Sequence, residues 1–188
     1  MGTNCYIFGD ENTHEVVLID TGGNPLLIIQ CIEDKGYKPI GIILTHGHPD
    51  HTGGTQKVKE HFDIPVMYHP KEQKMIGYDN VKSIQEPDVL EVGSERLHVL
   101  DSPGHTQGGI ILVSYENKLI FTGDTLFSGS IGRTDFAGGD HSHLMQSIRT
   151  KIMRNNKIND DFRIFPGHMD ASTVGKEKRT NMFRRDFM

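Results

Sequence analysis

The segment Thr45-His46-Gly47-His48-Pro49-Asp50-His51 places three imidazoles and a carboxylate within six residues. Buried together without partners, such groups are costly. Neutral imidazole nitrogen and carboxylate oxygen are the donors that a cation such as zinc accepts. In a loop, His46 and His48 can point one way and Asp50 and His51 another, a pattern that suits two metals better than one. Further candidate ligands stand in Ser102-Pro103-Gly104-His105-Thr106, Phe121-Thr122-Gly123-Asp124-Thr125 and Phe165-Pro166-Gly167-His168. In each, a glycine precedes the ligand and lets the backbone turn sharply or approach a site closely. Each fragment alone reads as a surface turn. Joined to the dense histidine cluster, in this order, the set becomes specific.

The elements around these residues must deliver them to one place. Residues 4–8 and 16–19 flank the polar turn Asp10-Glu11-Asn12 and read as a hairpin. Residues 24–36 read as a helix, with Leu26, Leu27, Ile29, Ile32 and Cys31 as apolar positions and Gly36 as its stop. Residues 40–44 form a short apolar run, a buried strand whose end feeds the histidine-rich loop. A helix at 55–61, a strand at 66–69 and a short helix at 70–76 follow. Strands are expected at 96–100, 110–115 and 119–122, then a helix over 142–153 and a last strand at 163–165. His46, Asp124 and His168 each fall just after an expected strand, and His105 lies in the loop after another. Loops at strand ends are where α/β proteins place their sites. The mixture of hairpins and interleaved helices points to helices outside two mixed sheets.

Composition narrows the function classes. The chain has 188 residues, suited to one domain over 1–188, with a formal net charge of -5. That balance argues against nucleic acid as a partner, because phosphate binding favours a basic face. No apolar run approaches the roughly 20 residues that span a bilayer, so no membrane partner is expected. The first residues do not read as a signal peptide, which points to the cytoplasm. Cys5 and Cys31 are expected to be buried, reduced thiols. His61, His69, His98, His141 and His143 are read as surface or supporting residues. The acidic stretch Glu86, Asp88, Glu91 and Glu95 reads as a solvated face, and the basic tail 176–185 as a solvated terminus.

With His46-x-His48-x-Asp50-His51 matched in full, and His105, Asp124 and His168 following in order, the sequence resembles the metallo-β-lactamase superfamily. The resemblance covers nearly the whole chain. It implies a four-layer αββα sandwich with metals at one edge. It implies one metal held by His46, His48 and His105, a second by Asp50, His51 and His168, and Asp124 bridging both. The expected cofactors are two Zn²⁺ ions, with Fe or Mn as alternatives at one or both positions. The run Leu119-Ile-Phe-Thr-Gly-Asp-Thr-Leu-Phe-Ser-Gly-Ser-Ile-Gly-Arg-Thr-Asp-Phe136 is similar to short bacterial glyoxalase II-like proteins, the hydroxyacylglutathione hydrolase-like branch. Three departures stand out. The chain ends about 20 residues after His168, so no C-terminal glutathione-binding helical domain is expected. Gly132-Arg133-Thr134-Asp135 stands where glyoxalase II has Gly-Lys-x-Tyr. Relatives also carry another strand before the segment matching Gly2-Thr3-Asn4-Cys5.

The activity implied is thioester hydrolysis on a small-molecule substrate such as S-D-lactoylglutathione. A metal-bridging hydroxide would form near neutral pH and attack the carbonyl, because zinc-bound water has a pKa of about 7. Asp50 would ligate and act catalytically by orienting that hydroxide. Arg133 would attract an anionic substrate group. Two rivals draw on all or part of the same ligand set, the first of them on only two His and one Asp. A mono-iron persulfide dioxygenase shares the Gly-Arg-Thr-Asp-Phe run, and a phosphodiesterase or RNA-processing enzyme would share the two-metal chemistry.

Overall fold

The computed structural model describes residues 2–78 and 81–188; Met1, read above with the N-terminal segment, lies outside them. The chain opens with the hairpin β1 (Tyr6–Gly9) and β2 (Glu15–Ile19). Helix α1 (Pro25–Lys35) follows. The Asn24 side chain accepts the Leu26 N–H at its start, and Gly36 closes it. Next come β3 (Lys38–Ile43), α2 (Pro49–Thr52), α3 (Thr55–Phe62) and β4 (Val66–Tyr68). A 3₁₀ turn (Pro70–Glu72) leads into α4 (Gln73–Ile76) and β5 (Val81–Ser83). These five strands form one sheet in the order β1-β2-β3-β4-β5, antiparallel at the hairpin and parallel elsewhere.

The second half runs through β6 (Val89–Val92), β7 (Glu95–Asp101), β8 (Ile110–Ser114) and β9 (Leu119–Gly123). A small hairpin of β10 (Leu126–Phe127) and β11 (Ser130–Ile131) follows. Helix α5 (His141–Ser147) continues as a π-helical turn over Ile148–Met153. Then come β12 (Arg163–Pro166), β13 (Ser172–Thr173), α6 (Val174–Thr180) and α7 (Arg184–Phe187). The second sheet is ordered β13-β12-β9-β8-β7-β6.

Three apolar clusters define the layers. Phe8, Val17, Ile19, Ile43 and Met67 of the first sheet pack against Leu97, Val99, Leu112 and Phe121 of the second. Alternate residues on the outer face of the first sheet, such as Leu18, Ile42 and Val66, meet Ile29, Ile32 and Val58 of α1 and α3. On the far side, Ile111, Val113, Ile120 and Ile164 meet Leu144, Ile148, Val174 and Phe187. The result is helix, sheet, sheet, helix: the four-layer αββα sandwich that the sequence predicts. Strand β8 is buried along its whole length, as its unbroken Ile-Ile-Leu-Val run requires when both faces are covered.

Several local expectations need correction. Only Ile29 and Ile32 of α1 are buried, whereas Leu26 and Leu27 are 58 % and 68 % exposed. Cys31 is exposed on the same helix, and Cys5 is half-buried just before β1, so the thiols are not two buried core residues. The helix expected over 142–153 loses α geometry after Ser147. Glu86 is not merely solvated: it accepts the Asp101 N–H and pairs with Lys151 at 2.6 Å. His69 is buried. The strands β5, β6, β10, β11 and β13 are too short or too polar to show a period in the sequence.

Candidate metal centre

All the candidate ligands come from the loops and the short helix that follow strands at one edge of the sandwich, and they follow both sheets. After β3, His46 stands at the start of the loop, His48 precedes α2, and Asp50 and His51 lie within α2. His105 comes from the β7–β8 loop, Asp124 from the residue after β9, and His168 from just beyond β12. Their donor atoms converge into overlapping groups: His46, His48 and His105; His46, His51 and Asp124; Asp50, His51 and His168. Within each group the donor atoms lie within 4.8 Å of one another.

Asp124 is central to this arrangement. Its Oδ1 lies 3.3 Å from His51 Nε2, and its Oδ2 lies 3.4 Å from His168 Nε2 and 3.5 Å from His105 Nε2. Asp50 Oδ2 is 3.2 Å from His168 Nε2, at the more open end. His48 presents Nδ1, 2.9 Å from His105 Nε2. Gly167 makes the approach feasible, since a Cβ there would fall 2.3 Å from Asp124 Oδ1.

The other ring nitrogens are anchored away from the centre. His51 Nδ1 is 2.9 Å from Asp20 Oδ2, His105 Nδ1 is 2.6 Å from the Arg133 carbonyl, and His168 Nδ1 is 3.1 Å from the Gly2 carbonyl. Each contact is to an acceptor, so each Nδ1 carries a proton and each Nε2 is left facing the centre, where a bound cation would displace any second proton. Thr45 completes the set. Its hydroxyl donates to Asp20 Oδ2, and its oxygen can then accept from His46 Nδ1 at 3.1 Å.

This chemistry fits a cation. Among the described residues, the buried His46 Nε2 and Asp124 Oδ1 have no hydrogen-bond partner. Unsatisfied buried polar atoms are rare unless something else fills the role. Burial and the neighbouring His51 imidazole push His46 well below its ordinary pKa, which keeps it neutral and able to ligate. Burial and His105 likewise push His48 down. Burial opposes charge on His51 as well, but Asp20 and Asp124 outweigh it and push that imidazole up to about 10. The hydrogen bond to Asp124 raises His168. Asp124 itself is held far below the carboxylate range: the neighbouring His168 and His51 imidazoles overcome the effect of burial.

Asp20 is one residue that the sequence reading missed. It is 2 % exposed and also accepts the Thr45 N–H at 2.8 Å. The signal was an acid directly after the apolar strand Val16-Val-Leu-Ile19, ahead of Thr21-Gly22-Gly23.

The centre opens into a cleft of about 520 Å³ lined by His48, Asp50, His105, Asp124 and His168 on one side. Phe127, Ile131, Phe136 and Met169 supply its apolar walls, and Arg133 its cation. The Arg133 guanidinium pairs with both oxygens of Asp135, at 2.9 and 2.6 Å, and stacks 4.3 Å above Phe136. Among the described residues, no helix is long and apolar enough to cross a membrane.

Comparison with known proteins places this geometry in context. Residues 1–168 match the family model described as metallo-beta-lactamase superfamily. The chain is 36 % identical to hydroxyacylglutathione hydrolase GloC of Haemophilus influenzae, covering 96 % of this chain and 92 % of that protein. The BLEG-1 B3 metallo-beta-lactamase superposes with a TM-score of 0.86 at 30 % identity, covering 97 % of this chain and 94 % of the other. The protein TTHA1623, solved in a di-iron-bound form, gives 0.84 at 30 % identity, covering 96 % and 94 %.

Proposed function

The chain belongs to the metallo-β-lactamase superfamily of metal-dependent hydrolases, and from that membership and the donor geometry we infer that it is a two-metal hydrolase cleaving a small thioester such as S-D-lactoylglutathione. The observation that carries this reading is Asp124. Its carboxylate reaches His51, His105 and His168 at once, so the donors form two adjoining sets rather than one. Two divalent cations held there would supply an activated water and a Lewis acid for carbonyl cleavage. Zinc is the expected ion, and the di-iron form of a 30 % identical protein supports iron as an alternative.

The chain's own residues set the conditions for that chemistry. His46, His48 and His105 would hold one cation, Asp50, His51 and His168 the other, and Asp124 would bridge them. Asp20, the Arg133 carbonyl and the Gly2 carbonyl orient the imidazoles, so little reorganisation is needed on binding. Asp50 keeps an exposed carboxylate at the cleft mouth, where it can orient a water toward a carbonyl. Phe127, Ile131 and Met169 would exclude bulk water from a bound acyl group. A thiolate is a good leaving group, so the site needs no strong acid beside it. The resemblance to a hydroxyacylglutathione hydrolase supports the thioester class. A phosphodiester substrate is disfavoured because the net charge is -5 and, among the described residues lining the cleft, Arg133 is the one Arg or Lys.

The test is metal content together with a substrate panel. The expected result is two equivalents of metal per chain and hydrolysis of S-D-lactoylglutathione that falls at least 10²-fold in His48→Ala and Asp124→Ala. Activity that survives both substitutions and chelation would sink the mechanism. One iron per chain, with oxygen consumed on glutathione persulfide, would instead establish the dioxygenase.

A further inference from the structure

Glu72 ends the 3₁₀ turn Pro70–Glu72 and is 1 % exposed, although it is a carboxylate. Each of its oxygens accepts one backbone N–H. Oε2 takes that of Gly47 at 2.8 Å, and Oε1 takes that of Gly108 at 2.6 Å. Gly47 lies between His46 and His48, and Gly108 lies three residues after His105. The carboxylate therefore ties together the two loops that carry the three-histidine group. Both loops press hard onto it. A Cβ on Gly47 would fall 2.9 Å from Met75 Cβ and 3.0 Å from Glu72 Oε2; a Cβ on Gly108 would fall 2.8 Å from Glu72 Oε1. Glycine at both positions is what lets the carboxylate reach the two backbones.

The turn itself is held in place. The His69 side chain accepts the Lys71 N–H at 3.1 Å, the His69 carbonyl accepts the Glu72 N–H at 2.9 Å, and Tyr68 donates to Gln73 Oε1 at 2.7 Å. A buried carboxylate is retained only where its hydrogen bonds or a nearby cation repay its lost hydration. Here the hydrogen bonds go to the very loops that aim His46, His48 and His105.

We propose that Glu72 is a positioning residue of the metal centre: its carboxylate sets the separation between the His46–His48 loop and the His105 loop, and so sets the affinity and geometry of the cation that these three imidazoles share. This rests on reading those imidazoles as metal ligands. Glu72 touches neither cation nor substrate and acts through the backbone of Gly47 and Gly108.

The experiment uses the full chain loaded with Zn²⁺ or Co²⁺ and compares Glu72→Gln, Glu72→Ala and Glu177→Gln with the unaltered protein. Glu72→Gln keeps the shape but turns one oxygen into an NH₂ group that faces an N–H donor. Glu177→Gln alters an equally buried carboxylate that binds elsewhere, at Gly129 and Asn181. Metal per chain is read across a chelator titration, the Co²⁺ visible spectrum is recorded, and the unfolding midpoint is followed in parallel. The Glu72 variants should release one of two ions at about 10- to 100-fold lower chelator concentration, with an altered Co²⁺ spectrum. Glu177→Gln should lower the unfolding midpoint yet release metal where the unaltered protein does. Folded Glu72→Gln with unchanged release and spectrum overturns the proposal. So does Glu72→Gln that fails to fold, since the role would then belong to the fold and not to the site. An unaltered chain that takes up no metal overturns this proposal and the hydrolase reading together. An unaltered chain that holds two ions, with variants that match it, overturns this proposal alone.

Discussion

Asp20 and His51 meet at 2.9 Å with both side chains almost wholly buried, and that contact fixes which nitrogen of His51 faces the metal centre. The same carboxylate binds the Thr45 backbone and hydroxyl. Asp20→Ala should therefore weaken metal binding about 10- to 100-fold. Equilibrium dialysis against a chelator measures it. Unchanged affinity would show that the contact serves folding alone.

Arg133 and Asp135 form an exposed pair, so separating them should leave stability nearly unchanged. Their effect on substrate should be larger and opposite in sign. Asp135→Ala frees the guanidinium and should lower KM for a substrate with an anionic tail. Arg133→Ala should raise KM several-fold with kcat nearly constant, because the His105 anchor is the Arg133 backbone carbonyl, not its side chain. Steady-state kinetics on an anionic and a neutral thioester separates the two effects. Equal shifts on both substrates would refute a charge-recognition role.

Asp10 accepts the Ser94 hydroxyl and N–H, each at 2.7 Å, and the Asn12 N–H at 2.7 Å. The bonds to Ser94 and then to Asn12 hold its carboxyl well below the usual range. The folded state thus binds this proton less readily than the unfolded chain, whose value is about 3.9. The stabilisation is present above that value and is lost as pH falls through it toward the depressed folded value. In metal-free protein, the urea midpoint should drop less steeply between about pH 5 and 3 in Asp10→Asn than in the unaltered chain. Parallel curves would refute the assignment.

Glu177 and Asn181 are fully buried beneath the β10–β11 hairpin. Glu177 accepts the Gly129 N–H at 2.8 Å, and Asn181 donates to the Ser130 carbonyl at 3.0 Å. The hairpin carries Phe127, Ser130 and Ile131 of the cleft wall. Glu177→Gln should cost about 1–3 kcal/mol, the loss expected when a charged buried hydrogen bond is impaired. It should also raise KM, with metal content unchanged. Denaturant unfolding beside kinetics would test this, and an unaltered KM would leave the residue a purely structural part.

The histidine cluster was legible because four candidate ligands stand within six residues of one another. His105, Asp124 and His168 were legible only as a set, through their common place after strands. The supporting carboxylates were harder to see. Asp20 meets a partner 31 residues away, Glu72 one 25 away and Glu177 one 48 away; Asp20 is marked only by its place at a strand end, and nothing local distinguishes the other two from turn or surface acids. The tail containing Glu177 reads as basic and solvated, yet it buries that acid under the cleft wall. The four-layer plan followed from the resemblance and from the alternation of strands and helices. The exposed Leu26 and Leu27 show where periodicity misleads: α1 touches its sheet along a narrower face than its apolar residues suggest.

The candidate ligands divide between the two halves of the sandwich, with His46, His48, Asp50 and His51 following the first sheet and His105, Asp124 and His168 following the second. Cations held between them would be rivets across a seam. Pulled apart mechanically, the loaded protein should hold its two sheets together to a higher force than the chelated one, because the joint would then have to break coordination bonds as well as the apolar contact of Phe8, Leu112 and Phe121.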